Sequence, residues 1–457
     1  MSYCFKNQIL SFDARAPRYT SYPTAPQFKA LEKVEIYANA LGDVKAGEEI
    51  SLYLHVPYCS KMCWYCGCNT KVTKRYDPVS AYVDLLLEEV ETLARHLSPD
   101  HIISNIHFGG GSPGMLKARD FDRIMTRLRD TLNVADTAEI AIEIDPRGIT
   151  EDRVASYAKN GVNRVSLGVQ DFDEKVLKAI NRQQPFSLSY DAVQMLRSYG
   201  ITQINVDVMY GLPYQTMESQ ARTFEQLMFL DPSRIAYFGY AHVPWMKKHM
   251  RLINEETLPQ KDLRFDLFHA GAEYFTARGY VGIGIDHFAK PDDSLVRAMH
   301  MGTMRRNFQG YVDDACESMI GLGASSIGKI DGHFFQNYPD MPSYKKAITG
   351  GILAAGKSCG ISDEDRLRSD VIEQLMCYLR VDLVAICRAH GVSLDHFTAE
   401  IEALRAYEKI GFIEITPAGV IDINPDALLM TRMICSVFDA YLKPASESDT
   451  PKHAQAV

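Results

Sequence analysis

The sequence predicts an α/β protein built on a parallel β-sheet, and three observations predict it. From residue 51 to residue 240, short runs rich in Val and Ile and bounded by Gly or Pro alternate with longer amphipathic stretches. That is the pattern of buried strands and the helices that cover them. The connections are helix-sized, as a right-handed parallel crossover requires. Every unusual motif in the region follows a strand, at the sheet edge where α/β folds place their chemistry. An open doubly wound sheet and a full or partial barrel both meet these conditions.

Strands are expected at 51–56, 105–108, 139–144, 164–169, 204–209 and 234–240. The cysteines of Cys59-Ser60-Lys61-Met62-Cys63-Trp64-Tyr65-Cys66-Gly67-Cys68 follow the first, Gly109-Gly110-Gly111 the second and Asp145-Pro146-Arg147 the third. Gln170 ends the fourth, Tyr210-Gly211-Leu212-Pro213 follows the fifth and Ala241-His242 the sixth. Among the helices, Asp77-Pro78 offers an N-cap and a first-turn proline ahead of Val79, Val83, Leu86, Val90 and Leu93. Another over 187–199 carries Leu188, Val193 and Leu196 and stops at Gly200. Residues 1–35 read as an N-terminal arm, 36–350 as the main catalytic domain and 351–443 as a smaller, mostly helical C-terminal domain with a hairpin around 412–423. Residues 444–457 are polar and expected to form a flexible tail.

With 46% hydrophobic and 23% charged residues, the 457-residue chain has an ordinary globular composition, and its length exceeds what one core supports unless that core is a large barrel. No run approaches the roughly 20 apolar residues of a membrane span. The N-terminus has no basic region followed by an apolar run, so a cytoplasmic location is expected. A net charge of −9 argues against a nucleic-acid partner. No apolar heptad calls for a second copy, so a monomer is expected.

In a reducing compartment the ten cysteines are not expected to pair. Cys4, Cys316, Cys359, Cys377, Cys387 and Cys435 are scattered and read as core filler. Cys59, Cys63, Cys66 and Cys68 crowd together, and soft thiolates in such a group favour zinc or an iron–sulfur cluster. A structural zinc site normally shows a second cysteine or histidine pair, and none is visible. A redox dithiol needs Cys63 and Cys66 but leaves Cys59 unexplained. A cubane of four irons wants four ligands, so three cysteines leave one iron open for chemistry. Gly67 alone separates Cys68 from Cys66, which makes joint ligation difficult and leaves Cys68 as a neighbour of the centre.

The Cys59-x₃-Cys63-x₂-Cys66 spacing, with Tyr65 before the third cysteine, resembles the signature of the radical S-adenosylmethionine superfamily. Within it the chain resembles the oxygen-independent coproporphyrinogen III oxidases. The likeness is carried by Arg18-Tyr19-Thr20-Ser21-Tyr22-Pro23-Thr24, Leu54-His55-Val56-Pro57-Tyr58-Cys59, Cys66-Gly67-Cys68-Asn69 and Gly109-Gly110-Gly111-Ser112-Pro113. It continues through Glu143-Ile144-Asp145-Pro146-Arg147, Gly168-Val169-Gln170-Asp171-Phe172, Tyr210-Gly211-Leu212-Pro213, Asp286-His287-Phe288-Ala289 and Asn307-Phe308-Gln309-Gly310-Tyr311.

The resemblance implies a partial (βα)₆ TIM-like barrel. It also implies a 4Fe–4S cluster on Cys59, Cys63 and Cys66, with S-adenosylmethionine chelating the open iron. It implies a second S-adenosylmethionine, to which Phe308, Gln309 and Ile327 contribute. Tyr53, Tyr65, Gly110, Gly111, Ser112, Glu143, Gln170, Arg182, Asp207 and Ala241 match cofactor-contacting positions, with Ser112 standing where the family more often has Thr. The residue types fit those positions, since glycine permits close approach, a carboxylate accepts from a ribose hydroxyl or pairs with an ammonium, and arginine pairs with a carboxylate. The implied reaction uses a 5′-deoxyadenosyl radical to convert two propionates of coproporphyrinogen III to vinyl groups, giving protoporphyrinogen IX. A tetrapyrrole with four carboxylates calls for basic neighbours, and Arg18, Arg305 and Arg306 are candidates by their closeness to family motifs. A reductant such as flavodoxin or ferredoxin is implied as well. Competing expectations are a haem-binding relative on the same scaffold (a haem chaperone or a ring-opening methyltransferase) and a zinc-binding interaction protein. The chaperone usually has an acidic residue after the third cysteine, where this chain has Gly67.

Overall fold

The computed structural model describes residues 5–12 and 16–442, so Cys4 and the expected tail at 444–457 lie outside the described residues. All the expected strands form: β1 (Glu49–Val56), β2 (Ile102–Gly110), β3 (Asn133–Ile144), β4 (Arg164–Gln170), β5 (Gln203–Tyr210) and β6 (Arg234–Gly239). They pair in parallel in chain order. β3 starts well before the expected Glu139 because its first residues, Asn133-Val134-Ala135-Asp136-Thr137, are exposed or half-buried and carry only a short apolar pair.

The outer face of the sheet is covered by helices that bury one stripe each. In α1 (Asp77–Ala94) the buried set includes Val79, Val83, Leu86, Val90 and Leu93, the stripe read from spacing. Its N-cap is Tyr76 rather than Asp77, which sits inside the first turn beside Pro78. The helix expected over 187–199 runs Phe186–Ser198, and Gly200 follows its cap at φ +86°.

Beyond the βα units the sheet continues on both sides. β7 (Ser318–Leu322) lies parallel to β1, and β8 (Ile327–Ile330), β9 (His333–Asn337) and β10 (Ala355–Gly360) extend it antiparallel. The arm supplies a last edge strand, Lys29–Ala30, paired to β10. Past β6 come His287–Ala289 and Val281–Ile283. The resulting 13-stranded ladder ends on different strands and does not close on itself, giving a partial barrel. β10 lies past residue 350 yet belongs to this sheet; helices take over at α2 (Asp363–Tyr378).

The N-terminal ends of β3–β6 are floored by ion pairs: Arg164 with Glu139 at 3.1 Å, and Arg234 with Asp293 at 2.7 Å and Asp313 at 3.0 Å. The C-terminal ends stay open, and the loops that follow them carry the motifs. Over them sit the arm and the C-terminal module, in which the expected hairpin (Ile413–Ile415 and Val420–Ile423) gains a third strand, Arg380–Asp382. Of the scattered cysteines, Cys377, Cys387 and Cys435 are buried as expected, whereas Cys316 and Cys359 are half-buried.

Candidate active site

The cysteine loop is held from both sides. Trp64 N–H donates to the Ile180 carbonyl at 3.0 Å, Asn181 Nδ2 to the Met62 carbonyl at 2.8 Å, and His249 Nε2 meets the Cys66 carbonyl at 2.7 Å. Two guanidiniums face Cys63 Sγ, Arg182 Nη1 at 3.4 Å and Arg147 Nη2 at 3.5 Å. Both arginines also reach Asp145, Arg147 Nε at 2.9 Å and Arg182 Nη1 at 3.4 Å. A hydrogen bond from Cys68 is the main cause that pulls the Cys66 thiol down to about 6, while burial pushes Cys59 up to about 12.

Cys59, Cys63, Cys66 and Cys68 are all free thiols lining one cavity. Among the described residues no three His, Cys, Asp or Glu side chains converge on a single ion. A cluster of several irons spreads its thiolates around itself instead. The donor set fits such a group: soft ligands on one short loop, a buried Arg182 Nε with no hydrogen-bond partner, and cationic neighbours that stabilise thiolate.

Next to the loop, the glycine run closes on the protein's own side chains. A Cβ on Gly110, whose φ is +112°, would stand 2.5 Å from the His55 ring, and one on Gly111 would stand 2.8 Å from the Tyr58 backbone. Glycine is needed because β1 and the chain just after it already occupy that space, and the backbone is left bare toward the cavity. Glu143 sits beside it on β3, accepting from Gly110 N–H at 3.3 Å and meeting His107 Nε2 at 3.1 Å. Burial opposes its charge, but the His107 contact prevails and holds the carboxyl below its ordinary value. Asp207, across β4, bonds Ser166 Oγ at 3.3 Å and is pushed up to about 7, first by burial and then by the charge of Glu143. Gln170 ends β4 in the left-handed region at φ +73°, and Arg182 Nη2 donates to the Gly168 carbonyl two residues before it.

The cavity holds about 610 Å³ and is lined by the cysteines, Tyr65, Gly110, Gly111, Ser112, Glu143, Gln170, Arg182, Asp207, Ala241 and Arg18. The remaining expected residues lie elsewhere. Tyr53 stacks on His107 at 5.8 Å and touches His55 Nδ1 through its hydroxyl at 3.2 Å. Gln309 lines an adjoining cavity of about 230 Å³ that shares Glu143, Ser166, Asp207 and Phe238 with the first. Phe308 packs between Phe28 and Phe334, and Ile327 joins that group. Arg305 pairs with Glu373 at 3.1 Å, and Arg306 turns to the Tyr19 and Arg18 carbonyls.

Sequence reasoning gives His55 no role beyond its place in a motif and does not single out His107, Lys247 or Arg432. The alternation Tyr53-x-His55 beside Asn105-x-His107 on paired strands was the signal for the histidines. Nothing local marks Arg432, which lines the cavity from the far end of the chain.

Comparison with known proteins agrees with this geometry. The family model described as the Radical SAM superfamily matches residues 53–227, which run from β1 into the helix after β5. An oxygen-independent coproporphyrinogen III oxidase of Bradyrhizobium diazoefficiens is 42% identical over 449 residues, spanning 97% of this chain and 98% of that protein. One of Pseudomonas aeruginosa is 38% identical over 438 residues, spanning 95% of each. The solved coproporphyrinogen III oxidase of Escherichia coli, described as a radical SAM enzyme, superposes with a TM-score of 0.88 at 34% identity, covering 93% of this chain and 98% of that one. With relatives this similar over nearly their whole length, the chain belongs to the oxygen-independent coproporphyrinogen III oxidase family of radical SAM enzymes.

Proposed function

We propose that this protein converts two propionate side chains of coproporphyrinogen III to vinyl groups without oxygen, giving protoporphyrinogen IX. The observation that carries the reading is one cavity in which three clustered thiols, a bare glycine backbone, two carboxylates and several arginines meet. Cys59, Cys63 and Cys66 would hold a 4Fe–4S cluster, and Gly110, Gly111, Ser112, Glu143, Gln170, Arg182, Asp207, Tyr65 and Ala241 would hold S-adenosylmethionine. When bound, the cluster and S-adenosylmethionine would supply one-electron chemistry able to take a hydrogen atom from an unactivated carbon.

The chain's own residues do the rest. Arg182 and Arg147 compensate thiolate charge at Cys63, and the Cys66 thiol is already biased toward its ligating form. Glu143, fixed by His107, is an ionised acceptor for an ammonium or a ribose hydroxyl. Residues of β2–β6 and the loop at Val243, Met246 and Met250 wall the cavity and would shield the reacting carbon from water. The adjoining cavity, joined through Glu143 and Asp207, supports a second S-adenosylmethionine with Gln309 beside it. A one-electron donor such as flavodoxin or ferredoxin completes the system. A cytoplasmic monomer is the form in which we expect the protein to work; among the described residues no helix is long and apolar enough to cross a membrane.

The test is an anaerobic assay of reconstituted protein with reductant, S-adenosylmethionine and coproporphyrinogen III, following 5′-deoxyadenosine and the vinyl product together. Both should appear. Deoxyadenosine without vinyl product would move the substrate assignment to another tetrapyrrole, and neither product from a protein with a full cluster would overturn the reading.

A further inference from the structure

The cysteine loop reaches the surface, where Ser60, Lys61, Gly67 and Cys68 are exposed. Two segments hold it there, and both are rich in cations. On one side Lys71-Val72 pairs with Tyr58-Cys59, and Thr73 N–H donates to the Cys59 carbonyl at 3.0 Å. Lys74 and Arg75 follow and share a crevice of about 220 Å³ with Cys59 and Ser60. On the other side Lys247 Nζ donates to the Cys68 carbonyl at 3.1 Å, and His249 Nε2 meets the Cys66 carbonyl at 2.7 Å. Lys248 and Arg251, on the short helical turn Lys248–Leu252, are exposed beside them. A small core that includes Trp64, Tyr65, Ile180, Met250 and Ile253 packs this second segment against the loop.

The cations are not consumed within the chain. Among the described residues Lys71, Lys74, Arg75, Lys248 and Arg251 make no ion pair, and Lys61 and Lys247 bond only neutral oxygens, of Gln183 and Cys68. The next turn carries Glu255, paired with His242 at 3.0 Å, and Glu256, so cations outnumber acids around the loop. A chain of net charge −9 does not gather them there by composition. Between them lie exposed apolar groups: Trp245, Met246 at 61%, Leu252 at 59% and Val72 at 47% exposure. Apolar groups inside a charged rim are the make-up of a protein interface.

We propose that this face docks an acidic flavoprotein that carries one electron. The inference rests on the radical reading above and deepens it by naming the surface and the class of its electron donor. The partner's reduced flavin loses one electron to the cluster, at the place where the chain brings the cysteine loop to solvent. The hydrocarbon edge of a flavin suits the Trp245–Leu252 centre, and carboxylates around it suit the lysines and arginines. Charge of this kind chiefly speeds encounter, so the complex forms quickly and weakens with salt.

Oxidised flavodoxin, an acidic carrier with one flavin, is the probe, titrated by calorimetry into the full-length reconstituted protein. Lys248→Glu with Arg251→Glu should weaken its binding about tenfold or more, and raising the salt should shrink the difference. Lys409→Glu with Arg388→Glu, exposed on the C-terminal module, should leave binding unchanged. Circular dichroism and iron content check that each variant is intact. If the first variant does not fold, Lys74→Glu with Arg75→Glu gives the same reading from the other side of the loop. Dithionite needs no docking face, so deoxyadenosine formed with dithionite should match the wild type in every variant. Deoxyadenosine formed with reduced flavodoxin should fall in the charge reversals. Dithionite-driven product together with unchanged flavodoxin affinity in the charge reversals would overturn the docking face and leave the reaction standing. A protein that makes no vinyl product with dithionite but binds flavodoxin through Lys248 and Arg251 would overturn the reaction and support the face. Ferredoxin bound through the same residues, with flavodoxin bound by none of the proteins, would overturn the flavoprotein assignment in favour of an iron–sulfur carrier.

Discussion

Single residues separate the ligands of the proposed cluster from their neighbours. Cys63 is buried and faced by Arg147 and Arg182, whereas Cys68 is exposed and its carbonyl is tied to Lys247 at 3.1 Å. Cys63→Ala should therefore lose both iron and acid-labile sulfide, and with them all deoxyadenosine, while keeping its far-ultraviolet circular dichroism. Cys68→Ser should keep the iron and sulfide of the wild type. A Cys68→Ser protein that cannot be loaded would make Cys68 a ligand, and Cys59, Cys63 and Cys66 would no longer be the complete set. The cysteines were legible in sequence because their chemistry depends on a short spacing along the chain. His107 was not, since a lone histidine on a strand reads as core; its partner Glu143 is supplied by sheet register rather than by sequence distance. Arg432 was hidden for the same reason on a longer scale.

Elements were legible where burial is one-sided and illegible where it is not. The α1 stripe and the six strands follow from apolar spacing, while the polar start of β3 and the third strand Arg380–Asp382 have too few buried residues to announce themselves. One buried acid shows how an element can be fastened by a group that spacing treats as solvent-facing. Glu89 on α1 accepts from Gly323 N–H at 2.7 Å and Asn337 Nδ2 at 2.7 Å, and from the Tyr344 hydroxyl, tying the helix to the β7–β8 turn, β9 and the following helix. Glu89→Ala would strand these donors and should cost about 3 kcal/mol in urea unfolding. Burial outweighs the donors and pushes Glu89 from 4.5 up to about 7. The folded state therefore binds this proton more tightly than the unfolded one. Its contribution to stability is complete below about pH 4.5 and is lost as pH rises through about 7. Glu89→Gln, which does not titrate, should flatten that part of the profile; a profile as steep as the wild type's would assign the slope to another group, such as Asp207.

At the scale of the whole molecule, the segments near the two ends of the chain fasten each other beside the open barrel. Phe5 meets the Phe412 ring edge-on at 5.3 Å, and Lys6 pairs with Asp266 at 2.7 Å, so the first helix spans the C-terminal module and the barrel's last long helix (Lys261–Thr276). Further along, the Tyr19 hydroxyl donates to Asp439 at 3.1 Å, and the Tyr22 hydroxyl accepts from Ala440 N–H at 2.9 Å. Tyr19 is held at φ +46°, a conformation that costs a non-glycine residue about 1 kcal/mol or more and persists only when its surroundings fix it. Sequence placed the arm and the module as separate pieces, because contacts between residues near opposite termini leave no periodic trace. If the two hydroxyls hold the arm down, Tyr19→Phe with Tyr22→Phe should lose about 2 kcal/mol, at roughly 1 kcal/mol per hydrogen bond. Trypsin should then cut after the exposed Arg18 faster than in the wild type, because the buried residues that follow must lift away before the bond fits a protease. Equal cleavage rates and equal stability in the two proteins would mean that the arm is fastened by the Arg306 contacts to its backbone, and that the tyrosine hydroxyls merely fill the interface.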